Sequence, residues 1–130
     1  MFASPHLQTG YTVRHPTEDD IPAILDVLYE HDLAEIGESD QYSPDDIHAD
    51  WEDLDLSTDV WIIIAPNGMI CGYGTLSTIP ESGRIVADGY VHPAHYWHGI
   101  GTTLIELTEA RATELIPTMP EGIRLVLVNN

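Results

Sequence analysis

The stretch VWIIIAPNGMICGYGTLSTI, residues 60–79, constrains the fold more than any other part of the chain. Val60 to Ala65 is a continuous β-rich apolar run, and Asn67-Gly68 is the strongest short-range signal for a tight hairpin. Met69 to Ile79 reads as the returning strand, in which Gly72 and Gly74 predict a bulge or a close backbone approach. After a connection at Pro80 to Gly83, RIVADGYV supplies a third strand, and GIRLVLV near the end of the chain supplies another.

The flanking segments change period. Tyr11, Val13 and His15 alternate with Thr12 and Arg14, as in a short strand ended by Pro16. Thr17 then stands as a helix N-cap followed by acids in the first turn, where the helix dipole favours them. Ile21, Ile24, Leu25, Leu28 and Leu33 recur at near-helical spacing. Gly37 to Tyr42 is loop, and Ser43-Pro44 restarts a helix carrying Ile47, Trp51 and Leu54. Thr102 to Ile116 is a last helix, with Leu104, Leu107, Thr108, Arg111 and Leu115 on one side. The order β-α-α-β-β-β-α-β predicts a mixed α/β domain over residues 10–130, behind a loose arm at 1–9. The final strand-helix-strand crossover makes its two strands parallel.

Charge narrows the function classes. There are 22 acidic residues against four arginines and no lysine, giving a formal net charge of -18, and 16 of the acids lie between Glu18 and Asp59. Such a chain repels nucleic acid and anionic membrane surfaces. An acidic face is either a solvated surface of the kind salt-adapted proteins carry, or an attractor for a cationic substrate. No apolar run approaches the roughly 20 residues that span a bilayer, and no secretion signal opens the chain, which reads as soluble and cytoplasmic. The lone Cys71 excludes an internal disulfide framework and is expected in the core.

The turn DGYVHPAHYWHGIGTTLIELTEARA, residues 88–112, joins a strand to a helix. His92, His95 and His98 suit a metal by chemistry, but Pro93 prevents one helical face from presenting all three, and no acid lies between Ala94 and Thr103. No metal is expected. Gly99-Ile100-Gly101-Thr102 opens the helix with amides that lack intrahelical acceptors, which makes an anion cradle. A sharp packing corner is the plainer alternative for the same glycines.

These residues resemble the acetyl-CoA-binding segment of the GNAT superfamily of N-acetyltransferases, in which a strand ending V-x-P precedes [QR]-x-x-G-x-[GA] at a helix start. The element order is similar over residues 11–130, and the layout further resembles bacterial members with two such domains in tandem. The resemblance implies that main-chain groups of Gly89, Tyr90 and Val91 pair with the pantetheine arm of acetyl-CoA. It implies that amides from Tyr96, Trp97 and His98 through Gly99, Ile100, Gly101 and Thr102 hold the pyrophosphate. A splay between the Arg84–Val91 and Ile123–Val128 strands would admit the cofactor.

The chain departs from the pattern at Tyr96, where the motif has Gln or Arg, and at Trp97, where glycine is usual. With no Lys or Arg between Arg84 and Arg111, the anion rests on amides and dipole, helped by His98. The family's direct transfer to a primary amine needs a proton acceptor, for which Asp88, Glu35 and His31 are candidates, with Tyr73 or Tyr90 as acid. The family's usual tyrosine acid lies in a distal segment with no counterpart here. A homodimer or a second, C-terminal GNAT domain is expected to cover the last strand, with Leu125 and Leu127 on it. An acidic acceptor side favours a polyamine, an aminoglycoside or a basic peptide. The rival reading is a degenerate GNAT module that supports a partner domain without turnover.

Overall fold

The computed structural model describes residues 6–38, 42–79, 84–118 and 124–129. Strand β1 (Thr12–Arg14) leads through a turn of 3-10 helix into α1 (Ile21–Ile36), and α2 (Pro44–Trp51) follows. Strands β2 (Val60–Ile64), β3 (Ile70–Ile79) and β4 (Arg84–Val91) form the meander, α3 (Ile100–Leu115) crosses back, and β5 (Arg124–Asn129) closes the order. The sheet runs β1-β2-β3-β4-β5, antiparallel except for the parallel β4–β5 pair. The expected element order and the parallel crossover are therefore observed. The Pro80–Gly83 connection, residues 1–5 of the arm and the side chains of Leu125 and Leu127 lie outside the described residues.

Local chemistry explains the helix starts. Thr17 and Ser43 each form a capping box, and Pro22 and Pro44 sit in first-turn positions where a missing N–H costs nothing. Asp20 closes the first box by accepting from the Thr17 amide at 2.8 Å. Its two carboxylate oxygens also take a forked pair of 2.8 Å hydrogen bonds from Arg14, and this holds the Asp20 carboxyl below its usual range. Gly37 ends α1 in the left-handed conformation.

Strand alternation makes two cores. Val60 and Ile62 face α1 and α2, whereas Trp61, Ile63 and Ala65 face α3. On α1 the buried residues are Ile21, Ile24, Val27, Leu28 and His31. This corrects the expected stripe: Leu33 is exposed, and Val27 and His31 take the inward positions. The register slips between Ile63 and Ile64, so β3 bulges at Cys71, as the strand glycines predicted. The second predicted feature occurs as well, because Gly72 and Gly74 let Ile100 and Leu104 of α3 approach the sheet closely. Cys71 is fully buried, and burial pushes its thiol pKa up to about 12, so it packs as a small apolar side chain.

Residues 6–9 differ from the loose arm expected. Leu7 packs on the α3-side core, and the Gln8 amide donates to the His98 carbonyl at 3.1 Å. A short apolar anchor and one main-chain bond tie this segment across the head of α3.

Candidate active site

Two cavities flank the end of β4, and strand alternation assigns its residues to them. Gly89 and Val91 line a cavity of about 630 Å³ bounded by α3, the preceding turn and the end of α1. Asp88 and Tyr90 line a smaller one of about 160 Å³ on the opposite face, beneath α1 and α2.

The larger cavity collects most of the predicted anion cradle. Tyr96, Trp97, Gly99, Ile100, Gly101 and Thr102 all border it, and so do His31 and Glu35 from α1. The first helical bond of α3 is Thr103 N–H to the Gly99 carbonyl at 3.0 Å, so the amides of Ile100, Gly101 and Thr102 have no intrahelical acceptor. Thr103 also donates its hydroxyl to the Gly99 carbonyl at 2.7 Å, which fixes the first turn. The two glycines differ in purpose. Gly99 has φ +80° and its missing side chain faces the His6 carbonyl, so packing of the N-terminal segment accounts for it. Gly101 has only Val91 Cγ2, at 3.9 Å, near the place of a Cβ, and it keeps the helix head open to the cavity.

Two cofactor candidates lie elsewhere. Tyr90 turns to the smaller cavity, where it stacks on Tyr73 with ring centroids 6.1 Å apart. His98 packs on Tyr11, with its Nδ1 2.9 Å from the His95 carbonyl. Tyr96 has its amide engaged with the Pro93 carbonyl at 3.4 Å. Trp97 is 99% exposed with φ +72°, so its indole does not plug the corner.

The turn histidines are occupied by the fold. His92 Nδ1 accepts from the Ala94 amide at 3.1 Å, and His95 Nδ1 lies 2.9 Å from the Tyr11 hydroxyl. Burial, then His92 and His98, lowers the His95 pKa. Among the described residues no group of three His, Cys, Asp or Glu side chains converges on a metal position.

The expected splay between β4 and β5 is not open along residues 84–89. The two strands pair continuously from Arg84↔Arg124 to Gly89↔Asn129. Tyr90 and Val91 run on past that last pair, and of these Val91 borders the larger cavity. There the buried His31 ring reaches it, with Nδ1 3.2 Å from the Val91 carbonyl oxygen and 3.4 Å from its amide nitrogen.

The catalytic candidates divide between the cavities. Glu35 accepts a 2.9 Å hydrogen bond from the Tyr96 hydroxyl, and burial followed by that contact raises the Tyr96 pKa. Asp88 and Tyr73 border the smaller cavity together with Asp50. Burial, then the Asp50 charge, raises the Asp88 pKa, while desolvation and then Asp46 raise that of Asp50. Tyr73 is buried with its hydroxyl accepting from Trp51 Nε1 at 2.9 Å, and burial pushes its pKa upward. His95, Leu104 and Ile105 also border the larger cavity and Asp50 the smaller one; of these, Ile105 and Asp50 were not singled out from sequence.

The fold has close counterparts among solved structures. A GCN5-related N-acetyltransferase from Sphaerobacter thermophilus superimposes with a TM-score of 0.82 at 25% identity, covering 95% of this chain and 38% of that one. An N-acetyltransferase from Staphylococcus aureus Mu50 gives 0.67 at 20% identity over 90% of this chain and 72% of its own. A GNAT superfamily phosphinothricin acetyltransferase from Sinorhizobium meliloti, solved in complex with acetyl-CoA, gives 0.67 at 17% identity over 82% and 62%. The latter two likenesses are of fold. No curated protein sequence matches the chain. The model of the acetyltransferase (GNAT) family matches residues 25–126, which take in both cavities' strands, the turn and the head of α3, and the chain belongs to that family.

Proposed function

We propose that the domain binds acetyl-CoA in the larger cavity and transfers the acetyl group to a primary amine held at the smaller one. The observation that carries this reading is the cavity of about 630 Å³ at the head of α3, where helix amides without an intrahelical acceptor lie beside the end of β4. Membership of the family and the fold it shares with an acetyltransferase solved with acetyl-CoA support the cofactor. The pyrophosphate lies against the amides of Ile100 to Thr102, and the arm passes Gly101 towards Val91.

Transfer within the ternary complex needs no enzyme nucleophile. The amine nitrogen attacks the thioester carbonyl carbon, the C–S bond breaks with its electron pair leaving on sulfur, and the amine's surplus proton must be removed. Asp88 is the candidate for that task, supported by burial and the Asp50 charge, which make it a stronger proton acceptor than a free carboxylate. The carboxylates of Asp50 and Asp88, with the rings of Tyr42 and Tyr90, favour a cationic acceptor such as a polyamine or a basic peptide. A second GNAT domain or second copy against β5 is consistent with this chain spanning 38% of the Sphaerobacter protein.

Calorimetry with acetyl-CoA tests the reading. Saturable binding is expected, and Gly101→Leu should weaken it by at least about 100-fold, since the new side chain enters the cavity without displacing the fold. The alternative, a non-catalytic module, draws on Gly99 being explained by the N-terminal segment and on Tyr96 and Trp97 in the motif. Silence at millimolar acetyl-CoA selects that alternative.

A further inference from the structure

The larger cavity, read above as the seat of a phosphorylated ligand, has no lysine or arginine among the described residues that line it. The chain holds no lysine and four arginines. Arg14 forks onto Asp20 and Arg111 is bonded to Asp59 at 2.8 Å, while Arg84 and Arg124 pair in register at the far end of β4. Two histidines border the cavity instead. His31 is buried against Val91, whereas His95 is half-buried. Its Nδ1 lies 2.9 Å from the Tyr11 hydroxyl, and its Nε2 has no hydrogen-bond partner among the described residues. That atom is not one of their buried, unpartnered side-chain atoms, so it keeps contact with solvent.

His95 sits in a cluster whose rings tolerate charge differently. The ring centroids of His92 and His98 each lie 6.1 Å from that of His95. His92 Nδ1 accepts from the Ala94 amide, so a proton added there breaks that bond. His98 Nδ1 donates to the His95 carbonyl, and its ring packs on Tyr11 without bordering the cavity. A tyrosine hydroxyl both donates and accepts, so the Tyr11 bond holds His95 in either charge state. From α1, His31 and Glu35 border the same cavity, with Glu35 bonded to Tyr96. On α3 the nearest acid along the helix is Glu106, which faces His6 at 3.9 Å, and in β3 the Cys71 thiol beside Tyr11 stays protonated. Burial, then His92 and His98, lowers the His95 pKa, which leaves the ring neutral at pH 7 without a ligand.

An anion in the cavity reverses that balance, since an opposite charge within about 6 Å favours the charged imidazole by about one pKa unit or more. With Tyr11 donating to Nδ1, the neutral ring carries its proton on Nε2, where it suits a phosphate oxygen. We propose that His95 is the cavity's titratable cation: Nε2–H donates to a phosphate oxygen of bound acetyl-CoA, and Nδ1 takes up a proton from solvent as the Tyr11 hydroxyl turns from donor to acceptor. The inference rests on the cofactor reading above and adds to it a charged side-chain contact and a pH dependence. Its sign follows from linkage. The His95 pKa is higher in the complex than in the free protein, so binding takes up a proton between the two values and affinity falls as pH rises through that window. The uncharged arm of the ligand gains nothing from it.

Calorimetry with acetyl-CoA in two buffers of different ionisation enthalpy counts the protons taken up. His95→Gln keeps an N–H donor but cannot gain a charge. Near neutral pH it should take up about half a proton less than wild type, a difference that excludes protons exchanged by the ligand's own phosphates. The two proteins should bind alike at about pH 8, with wild type about tenfold tighter at about pH 6. The difference should persist with 3′-phosphoadenosine 5′-diphosphate, the head without the arm, and vanish with acetyl-pantetheine, the arm without phosphates. Equal proton uptake by the two proteins, or a difference that follows the arm, overturns the inference while the cofactor reading stands. Weakening of His95→Gln by one factor at every pH overturns it by marking a packing effect. Absence of acetyl-CoA binding to wild type removes the cofactor reading and this inference together. If His95→Gln does not fold, titration of the ring ¹⁵N resonances of wild type decides. The His95 pKa must rise by about one unit with acetyl-CoA, and a value unmoved by the ligand overturns the inference.

Discussion

The two cavities either side of β4 are built from alternate residues of one strand, yet they favour opposite charges. Gly89 and Val91 face the larger, where free amides at the head of α3 present partial positive charge and Glu35 is the carboxylate on the wall. Asp88 and Tyr90 face the smaller, where burial and the Asp50 charge raise the proton affinity of Asp88. Neighbouring side chains on a strand point to opposite faces, so a shift of one residue exchanges an anion-tolerant wall for a cation-tolerant one. The proposed reaction, which joins an anionic acyl donor to a cationic amine, would use such a division, with the transferred group near the strand that separates the two.

Substitutions can break this comparison. The largest effect after blockage at Gly101 belongs to Asp88→Asn. It should raise the KM for a cationic amine such as spermidine about tenfold and lower kcat, with acetyl-CoA affinity unchanged. The same variant has a signature in stability. The Asp88 pKa is raised in the folded protein, so the folded state binds the proton more tightly and stability falls as pH rises from the unfolded pKa through the folded one. Asp88→Asn should remove that decline and be more resistant to urea than wild type at pH 7. Equal slopes in the two proteins would show that Asp88 is not held in a desolvated pocket. Asp20 behaves in the opposite sense: its pKa is lowered, so its contribution is present above the unfolded value and lost as pH falls through the folded one.

A smaller effect is expected at the acid in the anion-tolerant cavity. Glu35→Gln should tighten acetyl-CoA about threefold at low ionic strength, with the gain fading as salt is added. A gain independent of salt would mean that the Tyr96 contact, and not the charge, limits entry. The smallest is Trp97→Gly. A non-glycine residue at φ +72° with an exposed indole should be relieved by glycine, for a gain of about 1 kcal/mol in urea unfolding. Loss of stability instead would show that the indole packs in solution and narrows the mouth of the cavity.

Much of this was legible in the chain. Asn67-Gly68, the period change at Val60 and the caps at Thr17 and Ser43 predicted the elements, since each signal acts over a few residues. The open amides at the head of α3 were also visible, because helix-terminal amides follow from where a helix starts. The inward turn of His31 was missed although the spacing Ile24, Val27, Leu28, His31 is helical, because histidine was not counted with the apolar stripe. Asp50 was hidden among 16 acids between Glu18 and Asp59, with nothing in the sequence to distinguish it. The packed segment at residues 6–9 carried no periodicity, and its partner, Gly99, lies far along the chain.

By itself the sequence determined the elements, their order and the open amides at the head of α3, because local backbone preferences and hydrophobic period need only neighbouring residues. The tertiary structure decided that Gly99 is glycine because of the His6 carbonyl, that Asp88 and Asp50 share a cavity, and that the His31 ring reaches Val91. Those facts depend on which distant segments are brought within a few ångströms, and burial then changes what each polar group needs.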